Sequence, residues 1–167
     1  MAKPKIMTIY GTRPEAIKVA PVIKALDKDE RFESIPVSTG QHKEMLEQVN
    51  TMFGIQPKHD LGLMKQGQGL NELVSRAIAG LDSIIEEENP DVIISQGDTS
   101  TAMAAALAGF HRGVKIVHLE AGLRTGVIHS PFPEEANRKL IGQVAELHLA
   151  PTSGSMENPV SYTHLRA

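Results

Sequence analysis

Residues 6–18 read IMTIYGTRPEAIK, an apolar run that passes through a short polar junction into a helical pattern. The first part, IMTIY at 6–10, is rich in apolar and β-branched residues, as in a buried strand. Thr12 and Glu15 then stand three residues apart, the spacing of a capping box, with Pro14 in the first helical turn. The stretch therefore predicts a strand that leads directly into a capped helix.

The junction has the features of an anion site. The positive end of the helix dipole, Arg13 and the backbone amides that the cap leaves free would all point at one spot. A phosphate group is the most obvious ligand for such a spot. The alternative is an ordinary capped helix start with Arg13 in solvent.

Composition limits the remaining possibilities. The chain has 167 residues, 41% of them hydrophobic and 22% charged, with a net charge of -3, which fits one α/β domain with a real core. The absence of a basic excess and the 4% aromatic content argue against a nucleic-acid partner. Zero cysteine excludes disulfides, zinc–thiolate sites and thiol catalysis, and suits a reducing cytoplasm. With no apolar signal segment or membrane-length run, we expect a cytoplasmic protein without a membrane partner.

Strand and helix patterns alternate along the chain. Further strands are predicted at 34–39, 92–95, 114–119 and 147–150, and further helices at 41–53, 70–88, 99–110 and 133–144. Residues 55–69 look like a loop, and Pro36 favours an edge or an end of the second strand. Such alternation predicts an α/β fold with a doubly wound parallel sheet.

This topology brings charged residues together. Ligands bind at the carboxyl ends of the strands in open parallel sheets, and Arg13, Asp98 and Glu120 each follow a different predicted strand. Lys18, about one and a half turns along the first helix from Arg13, could reach the same edge. Asp98 could instead be a helix N-cap, whereas Glu120 directly after an apolar strand must be solvated, paired or functional.

Other motifs give weaker signals. Glu134 and Glu135 begin another helix, where acids often only complement the dipole. His118 alternates with apolar neighbours, which favours a hydrogen-bonded core histidine over a metal ligand shared with Glu120. Gly67-Gln68-Gly69 lacks the third glycine of a dinucleotide fingerprint, and there is no Walker A or nucleophile-elbow sequence.

Several ordered motifs together resemble one family. They are GTRPEAIK at 11–18, QH at 41–42, GDT at 97–99, HLEAGLR at 118–124 and SPFPEEANR at 130–138. In this order they strongly resemble the bacterial, non-hydrolysing UDP-N-acetylglucosamine 2-epimerases, collinearly from Lys5 to Thr152. The resemblance implies the Rossmann-like half of a two-domain enzyme of the glycosyltransferase-B type. It also implies that residues 1–152 form the N-terminal catalytic domain, that 153–167 are a truncated or non-native tail, and that a C-terminal UDP-binding domain is missing.

The resemblance also implies a reaction. Family members interconvert UDP-N-acetylglucosamine and UDP-N-acetylmannosamine, for cell-surface polysaccharides, without metal, nicotinamide or another cofactor. UDP is eliminated to leave 2-acetamidoglucal and is then added back. By motif match, Asp98, Glu120 and Glu134 would be the catalytic carboxylates, and Arg13 and Lys18 the residues that bind the substrate's diphosphate.

Regulation and assembly follow from the same resemblance. Gln41, His42 and Gln68 match the region where bacterial relatives bind a second UDP-N-acetylglucosamine as activator. Full-length members are usually homodimers, and the chain without its second domain is expected to be inactive alone. Two alternatives stay open, a hydrolysing UDP-N-acetylglucosamine 2-epimerase and a non-catalytic module that binds nucleotide sugars.

Overall fold

The fold is built from alternating strands and helices in a computed structural model, which describes residues 2–40 and 43–163, with side chains for 2–40 and 46–158. The strands are β1 (Lys5–Tyr10), β2 (Glu33–Ser38), β3 (His59–Asp60), β4 (Val92–Gln96), β5 (Lys115–Leu119) and β6 (Leu147–Leu149). The helices are α1 (Arg13–Lys28), α2 (Lys43–Phe53), α3 (Leu70–Glu88), α4 (Ser100–His111), α5 (Glu134–Val144) and α6 (Ser153–Thr163). No helix within these described residues is long and apolar enough to cross a membrane.

The strands form a single six-stranded sheet in the order β3-β2-β1-β4-β5-β6, and every pair is parallel. This is the strand order of a Rossmann fold, with its topological switch point between β1 and β4. The predicted doubly wound parallel sheet is therefore confirmed.

Helices cover both faces of the sheet. One core joins β1, β2, β4 and β5 to α3, α4 and α5, a second joins β1 to α1 and α2, and a smaller third joins Leu63 to α3 and α4. Helix α4 packs closely because all of its alanines are buried and its Gly109 faces the sheet. A Cβ atom at Gly109 would lie 2.6 Å from the Cδ1 atoms of Ile93 and Ile116. The alanine-rich sequence of α4 is thus explained by close contact with the strands that carry the site.

The capping box at the start of α1 is confirmed. Thr12 is the N-cap, and its side chain and that of Glu15 exchange hydrogen bonds with each other's backbone amides. The helix begins at Arg13 with Pro14 in its first turn. The strand-to-helix junction therefore forms as its local sequence predicts.

The loop predicted for 55–69 is wrong at one point, because it contains β3. This strand has only two residues, which pair with Val37 and Ser38, and two residues are too few for a periodic pattern. Pro36 stands just before this pairing begins, and its carbonyl accepts from the amide of Lys58 at 2.8 Å. Proline is tolerated in β2 because no strand is paired with that side of β2 at Pro36.

The segment 153–167 contains a helix in its described part. Helix α6 covers Ser153–Thr163, and Asn158 donates to the carbonyl of Gly122 at 2.7 Å. The assignment of 153–167 to a non-native tail, and the domain boundary at 152, stay predictions.

Candidate functional site

Three neighbouring strands deliver the charged residues to one edge of the sheet. Strands β1, β4 and β5 lie side by side and in parallel, and their carboxyl ends lead to Arg13, Asp98 and Glu120 respectively. The predicted placement of these three residues at one edge is confirmed. What each side chain meets at that edge differs from residue to residue.

Glu120 lies between a cation and an amide. Lys18 places its Nζ atom 2.8 Å from Oε1 and 2.6 Å from Oε2 of Glu120, and Gln96 donates from Nε2 to Oε2. Gln96 is buried, while the side chain of Lys18 is half exposed. As predicted, Lys18 reaches the edge from the first turns of α1.

The backbone at Glu120 is unusual. Its φ is +65°, a left-handed conformation that costs a residue with a Cβ atom about 1–3 kcal/mol. The residue borders a cavity of about 360 Å³, whose other walls include Lys18, Gln96 and Leu149. The sequence therefore keeps a carboxylate at a strained position beside an open cavity.

Asp98 is held by α5. Its carboxylate accepts from Nη1 of Arg138 at 2.5 Å, and its carbonyl accepts from Nδ2 of Asn137 at 2.8 Å. The N-cap of α4 is Thr99, whose hydroxyl accepts from the amide of Ala102. The alternative interpretation of Asp98 as an N-cap is therefore wrong.

Arg138 also bonds a second carboxylate, that of Glu135. The Nη2 and Nε atoms of Arg138 lie 3.1 and 3.3 Å from Oε2 of Glu135, and the amide of Thr125 donates to the same oxygen. Burial alone would raise the pKa of Glu135, but the Thr125 amide and Arg138 outweigh it and lower that pKa below its usual value. Glu135, which has no exposed surface, is thus a buried anion paired with Arg138.

The junction before α1 has one more bonded amide than the capping box predicts, that of Gly11. The carboxylate of Glu15 accepts from the amides of Gly11 and Thr12, both at 2.8 Å. The hydroxyl of Thr12 accepts from the amide of Glu15, so the amides of Thr12 and Glu15 are bonded as the capping box predicts and only that of Gly11 is bonded in addition. Arg13 is exposed, and its side chain has no hydrogen bond or ion pair within the described part of the chain. A binding role for this junction thus rests mainly on the Arg13 side chain.

Glu15 has a second role that the capping pattern does not reveal. Its Oε1 atom accepts from the hydroxyl of Thr99 at 2.6 Å, although Thr99 is 84 residues away in sequence. Burial raises the pKa of Glu15, against the lowering effect of its hydrogen bonds to Thr99, Gly11 and Thr12. The side chain joins the start of α1 to the start of α4.

Glu134 begins α5, and its Oε2 atom is buried without a hydrogen-bond partner among the described residues. An unpaired buried carboxylate oxygen is costly, and Oε1 of Glu135 is also buried without a hydrogen-bond partner among the described residues. Gln68, one of the predicted activator-binding residues, accepts from Nη1 of Arg76 at 3.0 Å. Gln41 and His42 lie outside the described residues.

His118 is a core residue, as its apolar neighbours suggest. It is 1% exposed, and its Nε2 lies 2.7 Å from the carbonyl of Gly97. Burial lowers its pKa to about 4, so it is neutral at pH 7. Within the parts of the chain described, no group of three or more His, Asp or Glu residues could hold a metal ion.

Comparison with known proteins gives one consistent result. The sequence model of the UDP-N-acetylglucosamine 2-epimerase family matches residues 24–162. The UDP-N-acetylglucosamine 2-epimerase of Yersinia pestis is 53% identical over 154 residues, which are 92% of this chain and 41% of that protein. The Escherichia coli K12 protein of the same name is 50% identical over 154 residues, which are again 92% of this chain and 41% of that protein. The chain therefore spans less than half the length of these curated relatives.

Solved structures agree with this result. A putative UDP-N-acetylglucosamine 2-epimerase from Listeria monocytogenes superposes with a TM-score of 0.94 and 50% identity, over 98% of this chain and 43% of that one. The UDP-GlcNAc 2-epimerase of Neisseria meningitidis bound to UDP-GlcNAc superposes with a TM-score of 0.92 and 45% identity. The match covers 95% of this chain and 43% of that one. MurG of Acinetobacter baumannii, at 15% identity and a TM-score of 0.61, shares the fold alone, which is of the glycosyltransferase-B type.

Proposed function

This chain belongs to the UDP-N-acetylglucosamine 2-epimerase family, an isomerase family, and on that premise we propose that it carries the acid–base groups for epimerising a UDP-linked N-acetylhexosamine. The substrate pair is UDP-N-acetylglucosamine and UDP-N-acetylmannosamine. The observation that carries the proposal is the joint placement of Asp98 and Glu120 at the carboxyl ends of β4 and β5, where Lys18 reaches Glu120 from α1.

The reaction inverts C2 of the sugar. A base removes the C2 proton while the C1–O bond to UDP breaks, and its electrons leave with the diphosphate. The neutral intermediate is 2-acetamidoglucal. UDP then adds back to C1 while a proton is delivered to the opposite face of C2. Groups that exchange protons are therefore needed on both faces, and carboxylates in different environments can serve both.

The chain supplies three such carboxylates in different surroundings. Asp98 is paired with Arg138, Glu120 with Lys18, and Glu134 has a buried oxygen with no partner in the described chain. We assign no order to their steps. Arg13, which is exposed and unpaired among the described residues, and Lys18 would stabilise the charge that develops on the departing diphosphate.

Further parts of the proposal rest on the family alone. Gln41, His42 and Gln68 would contact a second UDP-N-acetylglucosamine that acts as activator. The remaining length of the relatives would close the site over the uridine and form the homodimer. The product would feed cell-surface polysaccharide synthesis in the cytoplasm, a reducing compartment that suits a chain without cysteine.

The test uses a full-length protein that carries this chain, called the full-length protein below. It is incubated with UDP-N-acetylglucosamine in D₂O and followed by proton NMR. We expect exchange of the C2 proton and appearance of UDP-N-acetylmannosamine. Release of free N-acetylmannosamine and UDP would instead indicate the hydrolysing reaction, and binding without exchange would indicate a non-catalytic module.

A further inference from the structure

Two consecutive side chains of α5 hold the loop that carries Asp98. Asn137 donates to the Asp98 carbonyl at 2.8 Å, and Arg138 donates to the Asp98 carboxylate at 2.5 Å. Both α5 residues are buried, with exposed fractions of 3% and 6%. The loop is therefore fixed at its backbone and its side chain by one element.

Arg138 is locked from its other side as well. Its guanidinium lies against Glu135, which has no exposed surface and stands one helical turn before it. A guanidinium has a planar fork of donors, so it can bond two carboxylates in fixed directions, which a lysine ammonium cannot do. Arg138 is thus oriented by Glu135 and in turn orients Asp98.

Helix α5 also begins with Glu134, four residues before Arg138. A contact from Arg138 to Asp98 consequently sets the position of Asp98 relative to Glu134. Exchange of a proton at either face of one carbon requires that two carboxylates keep a constant relative position, since a shift of about 1 Å can cost a hundredfold in rate.

We propose that Arg138 is a positioning residue that holds Asp98 at a fixed position relative to Glu134, an inference that rests on the function proposed above. Arg138 acts through the carboxylate of Asp98, and Glu135 orients it. The competing interpretation is that Arg138 only stabilises the fold, as many buried ion pairs do.

A double-mutant cycle in the full-length protein separates the two interpretations. Arg138→Met should lower kcat about 10- to 100-fold, since a misplacement of about 1 Å can cost a hundredfold in rate. KM should stay within about threefold, since ground-state binding is not touched. In the Asp98→Asn background, where the oriented carboxylate is already gone, Arg138→Met should lower kcat by less than about threefold.

The matched control is Arg112→Met, which removes a guanidinium from an exposed pair with Asp82 and should leave kcat unchanged. If Arg138→Met unfolds the protein, as circular dichroism would reveal, Arg138→Lys keeps the charge and is put through the same cycle. A loss of kcat that is equal in both backgrounds, or no loss in either, overturns the inference. A parent protein that does not exchange the C2 proton overturns the proposed function itself.

Discussion

At the residue scale, two carboxylates of the site are each held by a cation far away in sequence. Lys18 and Glu120 are 102 residues apart, and Asp98 and Arg138 are 40 apart. In both pairs a cation on a helix meets a carboxylate that follows a strand. The charges are therefore compensated before any ligand arrives, which lowers the cost of gathering acids at one edge of the sheet.

The carboxylates can be tested by nearly isosteric changes. In the full-length protein, Asp98→Asn or Glu120→Gln should lower kcat at least about a hundredfold, because each removes a group able to exchange a proton. The exposed acid Asp82, as Asp82→Asn, is the control and should keep the parent kcat. Near-normal turnover in both site variants would mean that these carboxylates are structural.

At the element scale, Glu15 joins the starts of α1 and α4, and its removal should destabilise both helix starts. Glu15→Ala leaves the amides of Gly11 and Thr12 and the hydroxyl of Thr99 without their acceptor, which should cost about 2 kcal/mol of unfolding free energy. Glu15→Gln keeps an oxygen for the amides and a donor for Thr99, so its cost should be smaller.

Urea denaturation of the chain measures both effects. Glu72→Ala is the matched control, since Glu72 also lies in a first helical turn but is half exposed. Its loss should stay below about 0.5 kcal/mol, the usual range for surface changes. An equal loss for Glu15→Ala and Glu72→Ala would contradict a joining role for Glu15.

Elements with a clear local signal could be predicted from the sequence. The capping box predicts the start of α1, the apolar spacing predicts α3 from Leu70 to Ile85, and Asn89-Pro90 predicts where α3 ends. Strand β3 could not be predicted, because a pair of residues has no period. The ion pair between Arg138 and Asp98 could not be predicted either. Periodicity shows which face of a helix a residue is on, but not which residue it contacts across the molecule.

At the scale of the whole molecule, stability should depend on pH through His118. Its pKa is about 4 in the folded chain, against an ordinary value of 6.5. Above pH 6.5 the His118 side chain is neutral in both the folded and the unfolded chain. Between pH 6.5 and 4 only the unfolded chain takes the proton, so stability falls as the pH falls, by up to about 1.4 kcal/mol per pH unit. Below pH 4 this loss levels off.

The measurement is urea denaturation of the chain at pH 7, 6 and 5. In His118→Gln, the glutamine amide can still donate to the Gly97 carbonyl. The free energy of unfolding of this variant should change less with pH than that of the parent chain, and the difference between the two is the contribution of His118. If the free energy of unfolding changed equally with pH in the parent chain and the variant, His118 would not be a buried neutral histidine.

A second prediction at this scale concerns activity. The chain spans 41% of the Yersinia pestis relative, and the cavity beside Glu120 is open to solvent. Electrostatic contacts are weak where water and salt reach them, and orientation by a closed site is lost. We therefore expect no sustained C2 proton exchange when the chain alone is mixed with UDP-N-acetylglucosamine and followed by NMR. Exchange at enzyme-like rates would show that this part suffices.

With the catalytic role proposed above for Glu120, its left-handed backbone sets folding stability against chemistry at this position. Glycine adopts a φ of +65° without strain, and asparagine does so more readily than glutamate. A library of variants selected for folding alone should therefore drift toward glycine or asparagine at position 120. One selected for turnover should retain the acid and accumulate stabilising changes elsewhere.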